Sequence, residues 1–494
     1  MFSRSNPDDW PVKRALILAG IVVLSAGAYL LVSRFYYSVG FPLDDAWIHQ
    51  TFARNLILFG EWAFILGQPS AGSTAPLWSA LLALGFLFHL GPYIWTYFLG
   101  ALLLWALSMV AEFILRSWIP SYRPRFPWAG AWMAIEWHLV WSSVSGMETL
   151  LSAILVMLVL AMLVSKRRLW FWVGALTGLS VWVRPDGITL LGPVLLTAIL
   201  VESSWKRRVR ALAVVVLGFG GLFTLYLLFN LGLAGSLWPN TFYAKQAEYA
   251  VLLQQPFLAR LANEPLQLLT GAGIFLLPGL ILALVSATRR RDWGVLAIAT
   301  WMAGFLVLYA WRLPATYQHG RYIMPVMPVY FLLGLAGMAE FLLLRGLRGR
   351  WVLATSWKLA TGLALMLFWG RGAFAYASDV AFIESEMVTT ARWVAANIPS
   401  EALVAAHDIG ALGYFGDRDL LDLAGLVSPD VIPFIRDEAR LADYLDEQDV
   451  NYLVTFPDWY PSLTSGLIPV FSTGAPYAPS AGETNMAVYQ WPGP

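Results

Sequence analysis

Charged side chains interrupt the apolar runs of this 494-residue sequence at a few sites. The first site contains the adjacent residues Asp44 and Asp45, in the stretch FPLDDAWIHQTFARNL. A carboxylate can take a proton from a hydroxyl group, or it can bind a cation. Because adjacent side chains point apart, we expect one of the two to be a general base and the other to be structural or cation-binding. The alternative is that Asp45 acts only as the N-cap of a following helix.

Three more charged residues lie in short polar stretches between apolar segments. Glu148 follows Ser-Gly-Met, where it can orient an acceptor or supply a second carboxylate. It can also serve only as a first-turn acid that complements a helix dipole. Arg184 and Asp186 lie in the stretch RPDG, whose Pro and Gly fit a tight turn. These two side chains can pair with each other, or Arg184 can bind a phosphate.

Cationic side chains occur in two later polar stretches. Lys245 ends the stretch GSLWPNTFYAK, and His319, Arg321 and Tyr322 lie in YQHGRYIMPVMP. A guanidinium binds phosphate oxygens in a bidentate manner, and an ammonium binds them as a point charge. Both stretches therefore indicate contacts with phosphate or pyrophosphate. The alternatives are that Lys245 is an interfacial anchor and that Arg321 is a lipid-headgroup anchor.

Several classes of site are excluded by what the sequence lacks. It contains no Cys, which excludes disulfides, thiolate metal sites and Cys nucleophiles. It also contains no P-loop, zinc signature or nucleotide fingerprint, and it identifies no metal ligands. We expect no cofactor to be required, although the carboxylates would allow a divalent cation. No feature indicates a nucleic-acid partner.

The composition indicates an integral membrane protein. Hydrophobic residues make up 59% of the chain and charged residues 13%, whereas a soluble domain has about 25% charged residues. The apolar runs predict about eleven transmembrane helices, two of them within residues 62–111, which carry no Asp, Glu, Lys or Arg. Residues 128–144 contain Glu136 and His138 and are predicted to be interfacial or re-entrant. Arg116, Arg123 and Arg125 would then lie on the outer side.

Basic clusters predict the orientation of the chain. Since Lys and Arg concentrate in cytoplasmic loops, the short basic loops are predicted to be cytoplasmic. These clusters are Lys13-Arg14, Lys166-Arg167-Arg168, Lys206-Arg207-Arg208, Arg289-Arg290-Arg291 and Arg345/Arg348/Arg350. The N-terminus is then cytoplasmic, in a plasma (inner) membrane, and the candidate site residues lie in outer loops. The first outer loop covers residues 34–75.

The last quarter of the chain differs in composition. Residues 371–494 contain 5 Lys/Arg and 17 Asp/Glu. We therefore expect a membrane domain at 1–370 and a small extracytoplasmic α/β domain at 371–494. Strand-like runs are predicted at 402–406, 420–423, 452–456 and 486–491, with helices at 379–397 and 437–445.

The order of these stretches resembles a known superfamily. DDAWIHQTFARNL, SGMETLL, RPDG, GSLWPNTFYAK, RYIMPVMP and DIGALGYFGDRDLLDLAGLVSP resemble motifs of the GT-C fold glycosyltransferases, over roughly residues 35–430. The resemblance is closest to bacterial members similar to the mycobacterial cell-wall arabinofuranosyltransferases. It implies a multi-span enzyme that takes a sugar from a polyprenyl-phosphate donor at the outer membrane face. The acceptor would be a glycan, a lipid or a protein of the cell envelope.

The resemblance also implies roles for individual residues. An acidic residue of the first outer loop supplies the general base of an inverting transfer, so Asp44 and Asp45 are the catalytic candidates and Asp44 is preferred. His49 and Arg54 follow on the same predicted helix and are expected to line the pocket. The remaining candidates are interpreted from their chemistry as substrate-binding residues: Glu148, Arg184, Asp186, Lys245, His319, Arg321 and Tyr322.

Two other functions are compatible with parts of the sequence. A transporter or flippase of lipid-linked sugars would carry its charged groups near the bilayer centre, whereas here they gather at one predicted boundary. A non-catalytic lipid-binding assembly protein would use the tail as a docking module.

Overall fold

The computed structural model describes residues 10–119, 121, 124–165, 167–343 and 349–493. Arg123, Lys166, Arg345 and Arg348, used above to predict orientation, lie outside the described residues. The first part of the chain is almost entirely helical. Its helices are α1 (Trp10–Tyr36), α2 (Asp45–Leu58), α3 (Pro76–Leu87), α4 (Pro92–Trp118), α5 (Trp128–Ile135), α6 (Trp137–Ser143), α7 (Thr149–Val164), α8 (Trp170–Val183), α9 (Leu191–Val201), α10 (Trp205–Ala234), α11 (Asn240–Glu248), α12 (Phe257–Leu269), α13 (Leu277–Arg290), α14 (Trp293–Arg312), the single turn α15 (Tyr317–Gly320), α16 (Met327–Leu343) and α17 (Arg350–Ile383).

Seven helical segments of the described chain are long and apolar enough to cross a membrane. They are Val12–Tyr36, Pro92–Trp118, Trp205–Ala234, Gly271–Arg290, Trp293–Arg312, Tyr317–Leu343 and Trp351–Asn397. Four apolar helices are shorter, at Pro76–Leu87, Thr149–Val164, Trp170–Val183 and Pro185–Val201. The expected polytopic, helical architecture is therefore confirmed, and the number of spans stays a prediction.

The basic loops lie together at one end of the helices, which we call the basic end. Arg168, before α8, pairs with Glu202, after α9, at 2.6 Å. Arg290, at the end of α13, pairs with Glu340 near the end of α16 at 2.9 Å. The opposite ends of α7, α8, α14 and α16 are where Glu148, Arg184, Arg312 and Arg321 lie. We call this opposite side the cavity end.

The paths of α3 and of residues 128–144 differ from the prediction. The start of α3 bonds to α2 through Ser79 and His49, and its last turn packs at Gly85 on Trp95 of α4. The residue after Trp95, Thr96, also bonds to α2, so both ends of α3 lie at the cavity end. The prediction of two spans within 62–111 is therefore wrong, since only α4 runs to the basic end. The broken helix α5–α6 instead runs antiparallel to α4, with Gly130 beside Ser108 and Ser143 beside Gly100.

The different paths of α3 and α5–α6 also change the predicted position of Arg116. Arg116 donates to Pro124 O at 2.8 Å, and Trp105 of the same helix bonds to Ala15 O near the start of α1. Arg116 therefore lies near the basic end, and the expectation that it lies on the outer side is wrong. The break in α5–α6 falls at Glu136, whose carboxylate accepts from the amides of His138 and Leu139. It also contacts His138 Nδ1 at 2.8 Å, so the two polar side chains pair with each other, while His138 Nε2 is buried without a hydrogen-bond partner among the described residues.

The first outer loop contains α2 and a small hairpin. Strands β1 (Ala63–Ile65) and β2 (Gln68–Pro69) form an antiparallel pair. Asn55 of α2 donates to the carbonyls of Ala63 and Phe64 at 3.0 and 3.1 Å. The hairpin is thereby attached to the last turns of α2, and α3 then begins at Pro76, where a proline suits the first helical turn.

The tail is joined to α17 without a linker. The helix continues through a π-helical segment at Glu384–Val388 into α18 (Thr389–Asn397). The expected domain boundary at residue 371 lies inside this continuous helix. The later elements are β3 (Leu403–Ala406), α19 (Gly410–Phe415), β4 (Asp419–Asp422), α20 (Glu438–Glu447), β5 (Tyr452–Thr455), β6 (Pro469–Ser472), α21 (Tyr477–Ala481) and β7 (Ala487–Gln490).

Five tail strands form one mixed sheet in the order β4-β3-β5-β7-β6. β3 is parallel to both β4 and β5, and Ala405 faces Leu421 on one side and Leu453 on the other. β7 is antiparallel to β5 and β6. The four predicted strands and both predicted tail helices are confirmed within a few residues, whereas β6 was not predicted.

The sheet lies between two apolar layers. Val404, Ala406 and Val488 belong to the same buried cluster as the membrane helices. Leu441, Leu445 and Leu453 belong to a separate cluster on the other face. The tail is thus packed directly on the membrane part through one face of its sheet.

Candidate functional site

A cavity of about 330 Å³ lies at the cavity end of the helices. Its wall is formed by α2, the segments that join α6 to α7 and α8 to α9, helix α11, and residues 308–322, with Leu426 contributed by the tail. Eight of the eleven predicted site residues line it, namely Asp45, His49, Glu148, Arg184, Asp186, Lys245, Arg321 and Tyr322. The polar loops predicted to converge on one face therefore meet around a common cavity.

Asp45 lies in the first turn of α2 and faces two cations. Its Oδ2 atom pairs with Arg321 and lies 3.5 Å from Lys245 Nζ. Burial alone would raise the pKa of Asp45, but the charges of Lys245 and Arg321 outweigh it and hold that pKa below its usual value. Asp45 is thus an ionised carboxylate inside the cavity, and its side chain remains 29% exposed.

Arg321, Lys245 and Tyr322 form a compact cationic group beside Asp45. The Tyr322 hydroxyl lies 3.2 Å from Arg321 Nη2 and 3.3 Å from Lys245 Nζ. Arg321 Nη1 is buried and has no hydrogen-bond partner among the described residues. A buried guanidinium nitrogen without an acceptor, next to an ammonium and a phenol, is suited to an anionic ligand.

A second charged group lies in the same cavity around Arg184. This guanidinium donates to Asp186 at 2.8 Å and to the Tyr309 hydroxyl at 2.8 Å, and it lies 3.4 Å from Glu148. The expected pairing of Arg184 with Asp186 is therefore present, in a turn that begins at Pro185. Two acids already neutralise Arg184, whereas Lys245 and Arg321 share the single carboxylate of Asp45, so the Arg321 group is the one with positive charge left for a ligand.

His49 connects α2 to the Glu148 side of the cavity. Its Nδ1 lies 2.9 Å from Ser79 Oγ, and its Nε2 lies 3.7 Å from Glu148 Oε2. Burial lowers the pKa of His49 more than the neighbouring acids raise it. The imidazole is therefore neutral near neutral pH and can donate or accept a hydrogen bond.

Asp44 faces away from the cavity, toward the tail. Its carboxylate accepts from the backbone amides of Gly410 at 2.6 Å and Ala411 at 2.8 Å, at the first turn of α19. A Cβ atom at Gly410 would lie 2.1 Å from Asp44 O, so this approach requires glycine. Burial raises the pKa of Asp44 to about 6 although both amides oppose the shift. The preferred base candidate from the sequence therefore contacts the tail and not the cavity.

Arg54 is the second predicted residue that lies outside the cavity. It donates to the carbonyls of Tyr414 at 2.8 Å and Gly413 at 3.2 Å, and its guanidinium lies over the Tyr414 ring. Asp44 and Arg54 are both carried by the α2 region and contact opposite ends of α19. An acid at the start of a helix and a base at its end both complement the helix dipole. We call these contacts the α19 clamp.

His319 is the third predicted residue that lies outside the cavity. Its Nε2 lies 2.8 Å from Asp379 Oδ2, and the same oxygen accepts from Trp141 Nε1. His319 adopts a left-handed backbone conformation with φ of +57° and lies against the rings of Trp137 and Trp141. It connects the segment before Arg321 to α17 and has no place in the wall of the cavity.

Several cavity residues were not predicted. Tyr309 and Leu308 belong to an apolar helix and carry no signal that distinguishes them from core residues. Arg312 ends that helix and bonds to Gln246 of α11 at 2.8 Å. Its position at a predicted outer boundary is the signal that could have identified it. Among the described residues, no group of three or more His, Asp or Glu side chains is placed to hold a metal ion.

Comparisons with known proteins agree with this architecture. A protein-family model described as a domain of unknown function (DUF8728) matches residues 367–489. The terminal beta-(1->2)-arabinofuranosyltransferase of Mycobacterium tuberculosis is 27% identical over 420 residues, which cover 75% of this chain and 64% of that protein. The chain thus spans less than two thirds of the length of this relative.

Two solved structures share the fold. The structure of ArnT from Cupriavidus metallidurans bound to undecaprenyl phosphate matches with a TM-score of 0.56 at 15% identity, over 95% of this chain and 97% of that chain. Its apo state matches with a TM-score of 0.55 at 16% identity, with the same coverage. Together with the helical architecture and the small sheet, these findings confirm the resemblance seen in the sequence: the chain is a multi-helix membrane protein of the GT-C fold, related to an arabinofuranosyltransferase.

Proposed function

We propose that the chain is a membrane glycosyltransferase that moves a sugar from a polyprenyl-phosphate donor to an acceptor hydroxyl. The observation that carries the proposal is that Asp45, Lys245 and Arg321 meet in one cavity. The relative is named as an arabinofuranosyltransferase, and ArnT was crystallised with undecaprenyl phosphate. Both names support a lipid-linked sugar as the donor class.

The cationic group is proposed to hold the donor phosphate. Arg321 offers an unpartnered nitrogen, and Lys245 and Tyr322 lie within hydrogen-bond reach of one another beside it. A fork of guanidinium donors stabilises a phosphate as it gains negative charge. Apolar residues Ile188, Leu308 and Leu313 line the same cavity and are suited to the first carbons of the lipid.

Asp45 is the proposed general base. The acceptor oxygen forms a bond to the anomeric carbon, the bond from that carbon to the phosphate oxygen breaks, and the acceptor proton passes to Asp45. Attack opposite to the leaving phosphate inverts the anomeric carbon. A bound phosphate competes with Asp45 for Lys245 and Arg321, and loss of these contacts makes the carboxylate more basic when the donor is present.

The proposed location is the outer face of the plasma membrane, with a cytoplasmic N-terminus and an extracytoplasmic tail. The cavity lies at the ends of α7, α8, α14 and α16 that are opposite to the basic loops. The excess of Lys and Arg in cytoplasmic loops supports this orientation. The acceptor is proposed to be a glycan, a lipid or a protein of the cell envelope.

A donor screen tests the function. Purified protein is incubated with polyprenyl-phosphate sugars, including the arabinofuranose derivative, and with octyl arabinofuranosides as acceptors. We expect transfer from at least one donor, with release of polyprenyl phosphate and inversion at the anomeric carbon by NMR. We propose that no cofactor is required, so EDTA leaves the rate unchanged. Movement of intact donor across vesicles without transfer would instead identify a flippase.

A further inference from the structure

A group of polar and aromatic residues lies where the parallel strands of the tail end. His407 and Asp408 follow β3, and Trp459 and Tyr460 follow β5. The connection after β3 leads to β4 at one edge of the sheet, and the chain after β5 continues to β6 at the opposite edge. A crevice forms at the carboxyl ends of two parallel strands whose connections diverge, and ligands bind there in open α/β sheets. We call these four residues, with Glu248 of α11, the seam.

Contacts between side chains connect the seam to Asp45. His407 Nε2 lies 3.6 Å from Glu248 Oε1, and Lys245 lies three positions before Glu248 on the same helix. Side chains three apart share one face of a helix. Lys245 Nζ lies 3.5 Å from Asp45 Oδ2. One face of α11 therefore connects the seam, through Glu248 and Lys245, to the proposed base.

A second connection runs along the backbone. Asp44 precedes Asp45 and accepts from the amide of Gly410, two residues after Asp408. The α19 clamp thus fixes the loop after β3 beside the start of α2. Because both connections are independent, the seam and Asp45 are held at a defined separation.

The seam offers groups that the protein itself does not fully use. Trp459 is 40% exposed, and its ring lies 5.3 Å from that of His407 in an edge-to-face arrangement. Asp408 Oδ2 is buried and has no hydrogen-bond partner among the described residues. A buried acceptor without a donor is unusual and indicates a group supplied from outside the chain.

The charges of the seam largely cancel, so it is suited to a neutral ligand. Although burial opposes the shift, Tyr460 and Glu248 raise the pKa of His407 well above its usual value, so His407 pairs with Glu248 as a cation. His407 and Lys245 outweigh burial and lower the pKa of Glu248, so this carboxyl group is ionised. Burial and the neighbouring Asp44 raise the pKa of Asp408. The ionised Glu248 accepts hydrogen bonds from hydroxyl groups, and the unpartnered oxygen of Asp408 offers a second position for a hydroxyl group. An indole ring offers a flat apolar face to the C–H side of a sugar.

We propose that the seam is the acceptor subsite, where a neutral sugar packs on Trp459 and bonds through its hydroxyls to Glu248 and Asp408, so that its reacting hydroxyl reaches Asp45. This assignment rests on the proposed glycosyltransferase function. The donor phosphate is then bound on the Lys245 side of α11 and the acceptor at Glu248, one helical turn later on the same helix. The tail thereby selects the acceptor.

The test compares Trp459→Ala with the conservative variant Trp459→Phe and with a matched control, Ile468→Ala. Ile468 is 86% exposed on the tail and lies outside the seam. Initial rates are measured with the active donor and an octyl arabinofuranoside, each varied in turn. We expect Trp459→Ala to raise the acceptor KM about tenfold without changing the donor KM. Trp459→Phe should recover most of the loss, and Ile468→Ala should match the unmodified protein.

Two outcomes separate this inference from the proposed function. If the unmodified protein transfers sugar and both Trp459 variants behave like Ile468→Ala, the acceptor subsite is overturned and the enzyme remains. If no donor supports transfer, the enzyme proposal fails, and binding to an array of neutral oligosaccharides then decides the inference. Binding that is lost in Trp459→Ala supports a carbohydrate site, and absence of binding by the unmodified protein refutes it.

Discussion

The carboxylates of Asp44 and Asp45, adjacent in sequence, contact two different parts of the molecule. Asp44 accepts from the amides of Gly410 and Ala411 in the tail, whereas Asp45 pairs with Arg321 and lies 3.5 Å from Lys245 in the cavity. One residue therefore joins the two parts of the chain, and its neighbour lies among the charges proposed to bind the substrate. This division of roles leads to the first prediction.

Asp45→Asn is expected to lower kcat about 10²- to 10⁴-fold, the usual contribution of a general base. The amide preserves the size of the side chain but cannot accept the acceptor proton. Asp44→Asn is the matched control, and transfer should continue at a measurable rate in the part of the sample that stays folded. The reverse pattern, an active Asp45→Asn and an inactive but folded Asp44→Asn, would assign the base to Asp44.

Arg321→Ala is expected to raise the donor KM about 10- to 100-fold, because a hydrogen bond to a charged group contributes about 1.5–3 kcal/mol. The acceptor KM should change much less. Arg207→Ala, at the basic end, removes the same charge far from the cavity and serves as the control. Equal effects of the two variants on the donor KM would show that Arg321 does not bind the donor.

The pH dependence of the reaction should report the cations around Asp45. Lys245 and Arg321 keep the pKa of Asp45 low, so the base is already ionised in mildly acidic solution. Lys245→Met removes one of these charges, and burial then raises the pKa of Asp45. The acidic limb of kcat/KM should therefore move to higher pH, into the range of roughly 4–6. An unchanged limb, measured from pH 4 to 8, would contradict this account of Asp45.

Asp44→Ala is expected to weaken attachment of the tail by about 1–3 kcal/mol, the loss of two buried hydrogen bonds. The pKa of Asp44 is about 6 in the fold, above its usual value, so the folded state binds a proton that the unfolded state has released. Its contribution to stability is greatest at low pH and falls as the pH rises toward 6. The destabilisation should thus be larger at pH 4.5 than at pH 7.

Hydrogen exchange of α19 measures this effect directly. The amides of Gly410 and Ala411 should lose protection in Asp44→Ala. Arg54→Ala should also increase exchange in α19 while the donor KM stays within about twofold. A donor KM that rises as much as in Arg321→Ala would instead place Arg54 at the donor site.

The absence of Cys makes the orientation testable by labelling. Ile468→Cys in the tail should react with an impermeant maleimide on intact cells, and Arg207→Cys at the basic end should react only after permeabilisation. Both positions are exposed in the structure. Labelling of Arg207→Cys alone on intact cells would invert the proposed topology.

The sequence predicted the cavity better than it predicted the individual roles. Lys245, Arg184 and Arg321 are isolated charges between apolar runs, and desolvation makes such charges rare unless they are used. The choice between Asp44 and Asp45 depends on the direction of two neighbouring side chains, which spacing alone does not determine. The role of Arg54 depends on contacts with α19, more than 350 residues later.

The helix assignments failed where length was the main criterion. Helix α3 is as apolar as a span, yet it has only 12 residues, and contacts of its first turns with α2 and of its last turn with α4 keep both of its ends on one side. The broken helix α5–α6 contains Glu136 and His138, which reduce its hydropathy, yet the Glu136 carboxylate bonds to His138 Nδ1 and to two backbone amides of the same helix. Pairing of polar groups within a helix is invisible to a hydropathy count. One span was predicted that is absent (α3), and one helical crossing was missed (α5–α6), so the predicted direction of the later helices is unchanged.

The helical run from Arg350 through the π-helical turn to Asn397 has a mechanical consequence. At about 1.5 Å per residue it is far longer than the roughly 30 Å core of a bilayer, so a single continuous helix belongs both to the membrane part and to the tail. Its irregular turn is braced by Glu386, which bonds to Asn485 and to the amide of Met486 near the last strand. Large rotation of the tail relative to the membrane part is therefore disfavoured, because it would break both this continuous helix and the contacts of Glu386 with the residues before the last strand.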